Sequence, residues 1–80
     1  MNEADLSKQA QRQRLLAHLQ TGSPLATSWA RQYLHVMSPA ARILELRREG
    51  YRIDTTWRDV PDASGVIHRQ GVYVLRGFVP

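Results

Sequence analysis

Eighty residues make one domain, near the size at which a single hydrophobic core just suffices. Apolar residues at 42% and charged ones at 22% are the balance of a globular chain, which excludes global disorder. Lysine and arginine outnumber aspartate and glutamate by 11 to 7, and all but one of the cations are arginine, whose forked guanidinium suits phosphate and guanine edges; this permits a nucleic-acid partner without demanding one.

Taken in order, residues 1–6 read as a flexible arm ahead of a domain over 7–80. The opening Met1-Asn2-Glu3-Ala4-Asp5 is polar and acidic, so no signal peptide is expected. No apolar run approaches the length that crosses a bilayer. Ser7 is placed to cap a first helix that runs to about Gln20 and stops at Thr21-Gly22. Leu15, Leu16 and Leu19 form its buried edge, with Lys8, Arg12 and Arg14 outward. Ser23-Pro24-Leu25-Ala26 is too short for a helix and predicts an extended connector with Leu25 turned in. Thr27 then caps a second short helix through about Leu34, with Trp29, Ala30, Tyr33 and Leu34 inside and Ser28, Arg31 and Gln32 exposed.

The turn His35-Val36-Met37 leads into the stretch with the strongest signals, Ser38 to Gly50. Ser38 is a good N-cap, Pro39 fits the first helical position, and Gly50 can take the left-handed conformation that ends a helix. Ala40, Ile43 and Leu46 share an apolar face, with the stem of Arg47 beside it. Ser38, Ala41, Glu45 and Arg48 fall opposite, with Arg42 and Glu49 on the flank. A short helix with a small residue central to its free face, and arginines around it, suits the DNA major groove. Two short helices joined by a tight turn are the outline of a helix-turn-helix. His35 lies five residues after Ala30, where many such motifs use four and place glycine, so the turn is either strained or one residue looser.

Beyond Gly50 the hydrophobic period becomes two. Ile53, Thr55 and Trp57 alternate with polar neighbours in a half-buried strand over Arg52 to Arg58. Pro61-Asp62-Ala63-Ser64-Gly65 is turn chemistry, and Val66 to Arg76 is extended again. The expected fold is α+β: three helices followed by a two-stranded β-hairpin, or wing, with Trp29 and Trp57 in the core and Phe78-Val79-Pro80 packed loosely at the end.

Three blocks of the chain carry a resemblance: Gln11-Arg12-Gln13-Arg14-Leu15-Leu16, Thr27 through Ala30-Arg31, and Met37-Ser38-Pro39-Ala40-Ala41-Arg42-Ile43-Leu44-Glu45-Leu46-Arg47-Arg48-Glu49-Gly50-Tyr51-Arg52-Ile53. Together they resemble a family of small winged helix-turn-helix domains frequent in bacteriophage and prophage proteins. The likeness covers roughly residues 8–76, and its most recognisable part is the Pro39-to-Gly50 block leading into the strand that carries Trp57. His35 departs from it, since members commonly have glycine there. The resemblance implies DNA binding, in the cytoplasm of a bacterial or phage-infected cell.

On that fold, DNA contacts divide among three groups. Ser38, Ala41, Arg42, Glu45 and Arg48 meet base edges and groove walls from the third helix. Thr27, Ser28, Arg31 and Gln32 touch the backbone from the second, where amides at a helix start favour phosphate. Arg58, His68, Arg69 and Gln70 reach a neighbouring phosphate or the minor groove from the hairpin. The leading expectation is a sequence-specific double-stranded DNA-binding protein, a transcriptional regulator or recombination accessory factor, acting as a homodimer or as adjacent copies. No coiled-coil heptad is present, which leaves the first helix, the hairpin edge or the termini to make a dimer. The alternative is a winged helix that binds or inhibits a host protein without a DNA target. An exposed apolar patch around Leu44, Tyr51 and Val36 would favour it, and Glu45 fits either partner.

Catalysis is not expected. His18, His35 and His68 sit in separate segments, there is no cysteine, and Asp54, Asp59 and Asp62 lack the pattern of a calcium loop. No glycine-rich phosphate loop or serine elbow occurs. Neither a cofactor, a metal, a small-molecule ligand nor a membrane is an expected partner.

Overall fold

Ser7 caps the first helix as its position predicts: its hydroxyl accepts the Ala10 amide at 3.2 Å. The computed structural model describes residues 7–79, so the arm expected over 1–6 and the placement of Pro80 lie outside the described residues. The elements in order are α1 (Lys8–Leu19), β1 (Leu25–Ala26), α2 (Thr27–Tyr33), α3 (Pro39–Arg48), β2 (Tyr51–Pro61) and β3 (Ile67–Phe78). The sheet has three strands in the order β1-β3-β2, antiparallel throughout. The hairpin is therefore not alone. The connector at Leu25-Ala26 pairs with Tyr73 and Val72 and closes the free side of β3.

That third strand changes the start of α2. The chain enters the helix straight from the sheet, so Ala26 stands at the N-cap position without a side-chain cap. The Thr27 hydroxyl instead donates to the Gly71 carbonyl at 2.7 Å, extending the β1–β3 seam. Ser38 holds the N-cap position of α3, yet its hydroxyl makes no cap either; its carbonyl accepts from the amides of Ala41 and Arg42 at 3.1 and 3.3 Å. Pro39 follows, where its missing N–H costs nothing.

The turn between α2 and α3 resolves the question His35 poses. Its φ of 54° puts a non-glycine residue in the left-handed region, so the turn keeps its form and His35 bears the strain. Arg14 of α1 braces it, donating Nε to the Leu34 carbonyl at 2.6 Å and Nη2 to the His35 carbonyl at 3.5 Å. Arg14 and Arg12, expected to point outward, both turn toward neighbouring segments.

Leu15 and Leu19 of α1, Leu25, Ala30, Val36, Ile43, Leu46, Ile53 and Tyr73 form one buried cluster. Each large aliphatic side chain among them contributes about 1.5–3 kcal/mol by leaving water. The tryptophans are not in it. Trp29 is 40% exposed, with its ring 4.8 Å from His18 and 5.0 Å from Tyr33 on the outer surface. A two-turn helix has one inward position, and small Ala30 fills it, leaving Trp29 and Tyr33 outside. Trp57 is 61% exposed because the hairpin outruns the core: along one face Ile53 is buried, Thr55 half-buried and Trp57 uncovered. Gly71, which lies opposite Trp57 in the ladder, supplies no side chain to shelter it.

The C-terminal strand is tied down rather than loose. Phe78 packs on Tyr51 with ring centroids 4.7 Å apart, and the Val79 amide donates to the Gly50 carbonyl at 2.7 Å. Gly50 has φ 112°, and an added Cβ would collide with the Val79 carbonyl oxygen. A one-residue bulge sits between Arg52 and Ile53 in the pairing, and Arg76 pairs with Asp54 at 2.9 Å.

Two substitutions separate these backbone requirements. Gly50→Ala should lower unfolding free energy by about 2–3 kcal/mol, through both the forbidden φ and the blocked approach of Val79. His35→Gly should raise it by about 0.5–1 kcal/mol, the relieved left-handed strain exceeding the added unfolded-state entropy. Urea denaturation of the purified domain measures both. A loss of stability in the second variant would contradict the strain assigned to His35.

Candidate nucleic-acid interface

The face that α3 presents outward is set by a charge cluster on its inner side. Helix α3 buries Pro39, Arg42, Ile43 and Leu46, while Ala40 is exposed. Arg42 thus takes the inward place expected of Ala40, and is only 8% exposed. Its Nη2 donates to Glu45 Oε2 at 3.0 Å, and its Nε lies 2.9 Å from Oε1 without being aimed along a hydrogen bond. Glu45 also accepts from Arg12 Nη1 of α1 at 2.8 Å, and Arg12 Nε lies 3.7 Å from Glu49. The Arg12 hydrogen bond holds the Glu45 carboxyl below its usual range; desolvation opposes this, and the charges of Arg42, Arg12 and Lys8 reinforce it. Both residues expected on the groove-facing surface, Arg42 and Glu45, are therefore occupied in the seam between α1 and α3. An arginine on the flank of a helix goes where a partner can neutralise it, and here that partner faces inward.

What remains outward on α3 is Met37 just before it, then Ser38, Ala40, Leu44 and Arg48, with Ala41 half-buried among them. Arg47 anchors the end of the helix, donating Nε and Nη2 to the Ile53 carbonyl at 2.9 and 2.6 Å and Nη2 to Thr55 Oγ1 at 2.9 Å. Arg48 has no partner among the described residues.

The second group gathers where the tip of the hairpin meets α2. Thr27, Ser28, Arg31, His68 and Arg69 line one shallow concavity together with Asp62 and Gln70. The Ser28 amide, expected to be open for phosphate, already donates to Gln70 Oε1 at 2.7 Å. Gln70 is 8% exposed and serves as a brace between α2 and β3 rather than as a contact. Arg31 is exposed and donates Nε to the Met37 carbonyl at 3.2 Å; Gln32 is exposed. Strand alternation puts Arg69 on the face of the ribbon opposite Arg58 and His68.

Asp62 organises the hairpin tip. Its Oδ1 accepts from the Ser64 hydroxyl at 2.6 Å and from the amides of Ser64 and Val66 at 2.9 and 3.1 Å, while Oδ2 meets His68 Nε2 at 2.8 Å. The Ser64 hydroxyl is the chief cause that lowers its pKa to about 2; desolvation works against it, and His68 and the two amides assist. The Asp-x-Ser spacing is the readable signal of such a turn.

Charge is thereby sorted. Glu45 and Glu49 face Arg12, Asp54 faces Arg76 and Asp62 faces His68, whereas Arg48, Arg52, Arg58 and Arg69 are without an ion pair among the described residues. These four lie on the end of α3 and along the hairpin, with Lys8 and Arg31 also exposed and without an ion pair on α1 and α2, a distribution that attracts a polyanion.

The depressed Asp62 value fixes a pH response. A carboxylate whose folded pKa lies below its unfolded one stabilises the fold above the unfolded value, and that contribution fades as pH falls from about 4 toward 2. Carboxyl NMR titration should place the Asp62 midpoint near 2, moved upward in Ser64→Ala. A midpoint near 4 in the unaltered protein would refute the assigned turn.

The profile of the winged helix-turn-helix domain family matches residues 10–77, nearly the whole chain. No curated protein and no solved structure matches it. The three-helix core, the sheet that follows it and the match over 10–77 lead to one assignment: the chain belongs to the winged helix-turn-helix domain family, whose general use is DNA binding rather than catalysis.

Proposed function

We propose that this domain binds double-stranded DNA sequence-specifically, as a regulator of transcription or an accessory factor in recombination of the kind carried by phages and prophages. The observation that carries the reading is the distribution of charge just described. Glu45, Glu49, Asp54 and Asp62 are paired within the protein, and Asp59 is the one acid among the described residues left to solvent without a partner. Against it stand Arg48, Arg52, Arg58 and Arg69, exposed and without an ion pair among the described residues. Helix α3 enters the major groove, and the hairpin offers Arg58 from one face and Arg69 from the other to flanking phosphate. Thr27, Ser28, Arg31 and His68 stand near the DNA backbone where the hairpin tip meets α2, with exposed Gln32 beside them and Ser38 and Ala41 at the groove. Arg42 and Glu45 act from behind, by holding α3 in place. A single domain reads a short half-site, so two copies bind side by side or as a dimer in the cytoplasm of the host cell.

The alternative of a protein target draws little support from its own criterion. Of Leu44, Tyr51 and Val36, the patch that would favour it, Val36 is fully buried and Tyr51 half-buried.

Mobility shifts of duplex DNA over a range of salt test the reading. Arg58→Ala and Arg69→Ala should each reduce the slope of log affinity against log salt by about 0.9, the release of one counterion. Feeble binding to any polyanion alike, with slopes unchanged, would refute it. The same arginines sort by role in a thermal melt. Arg48→Ala should weaken DNA binding and shift stability by no more than about 0.5 kcal/mol, as exposed sites do. Arg42→Ala should lower the melting temperature measurably, since it strips a buried partner from Glu45.

A further inference from the structure

Between Ser38 at its start and Arg48 at its end, the outward stripe of α3 carries only apolar side chains. Met37 is 70% exposed and Leu44 46%; Ala40 is exposed and Ala41 half-buried. Their spacing of three and four residues lines them along one side of the helix. From Met37 to Leu44 the stripe spans roughly 10 Å, the rise of about three base pairs. Within the major groove an alkyl side chain has one favourable partner among the base edges, the C5-methyl group of thymine. The guanidinium best placed to read guanine from mid-helix, Arg42, is turned into the α1–α3 seam. Arg48, the unpaired cation of α3, lies one turn beyond Leu44 at the C-terminal end, whereas a recognition helix reads bases from its N-terminal part.

Resting on the DNA-binding reading above, we propose that α3 discriminates its site by thymine methyl groups, with Leu44 and Ala41 as specificity-determining residues and Arg48 confined to the phosphate wall. The half-site then carries two or three thymines in the stretch under the helix, and guanine is not read there. DNA suits this stripe better than an apolar protein surface does. It is one helix wide, Val36 and Tyr51 do not extend it, and the unpaired Arg48 stands at its end.

Deoxyuridine keeps every hydrogen-bonding edge of thymine and lacks only the methyl, so it isolates the contact. The probe is a duplex selected from a random library by the unaltered protein, prepared with thymine or deoxyuridine in the half-site. Each contacted thymine replaced should weaken binding about four-fold, the burial of one methyl, and two should weaken it about fifteen-fold. Leu44→Ala should bring the two duplexes closer together in affinity, while Arg48→Ala weakens both and leaves their ratio intact. Specific, salt-dependent binding with equal affinity for the thymine and deoxyuridine duplexes would overturn this inference and spare the DNA-binding reading. No duplex retained above a polyanion control would overturn both, leaving the stripe as a face for protein.

Discussion

The contact on which the arrangement depends is the bridge from Arg12 through Glu45 to Arg42. It joins α1 to α3 by charge where the hydrophobic cluster joins them by packing, and it decides how α3 is rotated about its axis. A carboxylate between two guanidiniums has satisfied acceptors on both oxygens; turning α3 outward would carry the Arg42–Glu45 pair with it, break the bond from Arg12 and bring the nearly buried Arg42 out of the seam. Ala40, which has no charge to satisfy, is displaced to the surface as a consequence. The polarity of the outer face follows directly: the helix keeps Arg42 and Glu45 behind it and shows alkyl groups ahead, with Arg48 at its far end.

The rest of the fold holds that helix at both ends. Arg14 from α1 braces the strained turn before it, and Arg47 and Gly50 fasten its end to β2 and to the last residues of β3. Arginine in this small domain therefore divides into two populations. Arg12, Arg14, Arg42 and Arg47 reach carbonyls and carboxylates within the chain, where lysine could not offer the same forked donors. Arg48, Arg58 and Arg69 stay on the solvent side and supply the attraction for a polyanion.

Elements were legible in the amino-acid pattern where local chemistry decides them. The Ser7 cap, Pro39 at the helix start, the Gly50 stop and the Asp62–Gly65 turn all depend on a few adjacent residues, and each element lies where those residues put it. Even the tension at His35 was visible as a departure from the four-residue spacing. Side-chain destinations were less legible, because they depend on partners distant in sequence. Arg42 looks solvent-facing until Arg12, thirty residues earlier, is known to draw Glu45 inward. Trp57 looks like core by alternation alone, since a two-residue period says which face a side chain takes and not whether a helix covers it. β1 escaped for a different reason: two residues carry too little pattern to declare a strand, and it exists because β3 has an edge to fill.

Chemical-shift mapping of the labelled domain against duplex DNA tests the central claim most directly, since it reports which side of α3 meets the ligand. The account predicts that the amides of Met37, Ala40, Ala41, Leu44 and Arg48 move together with those of the hairpin, while the Arg12 and Arg42 guanidinium signals stay in place. Shifts centred on Trp29 and Tyr33, or release of the Arg42 guanidinium from Glu45 on binding, would contradict it.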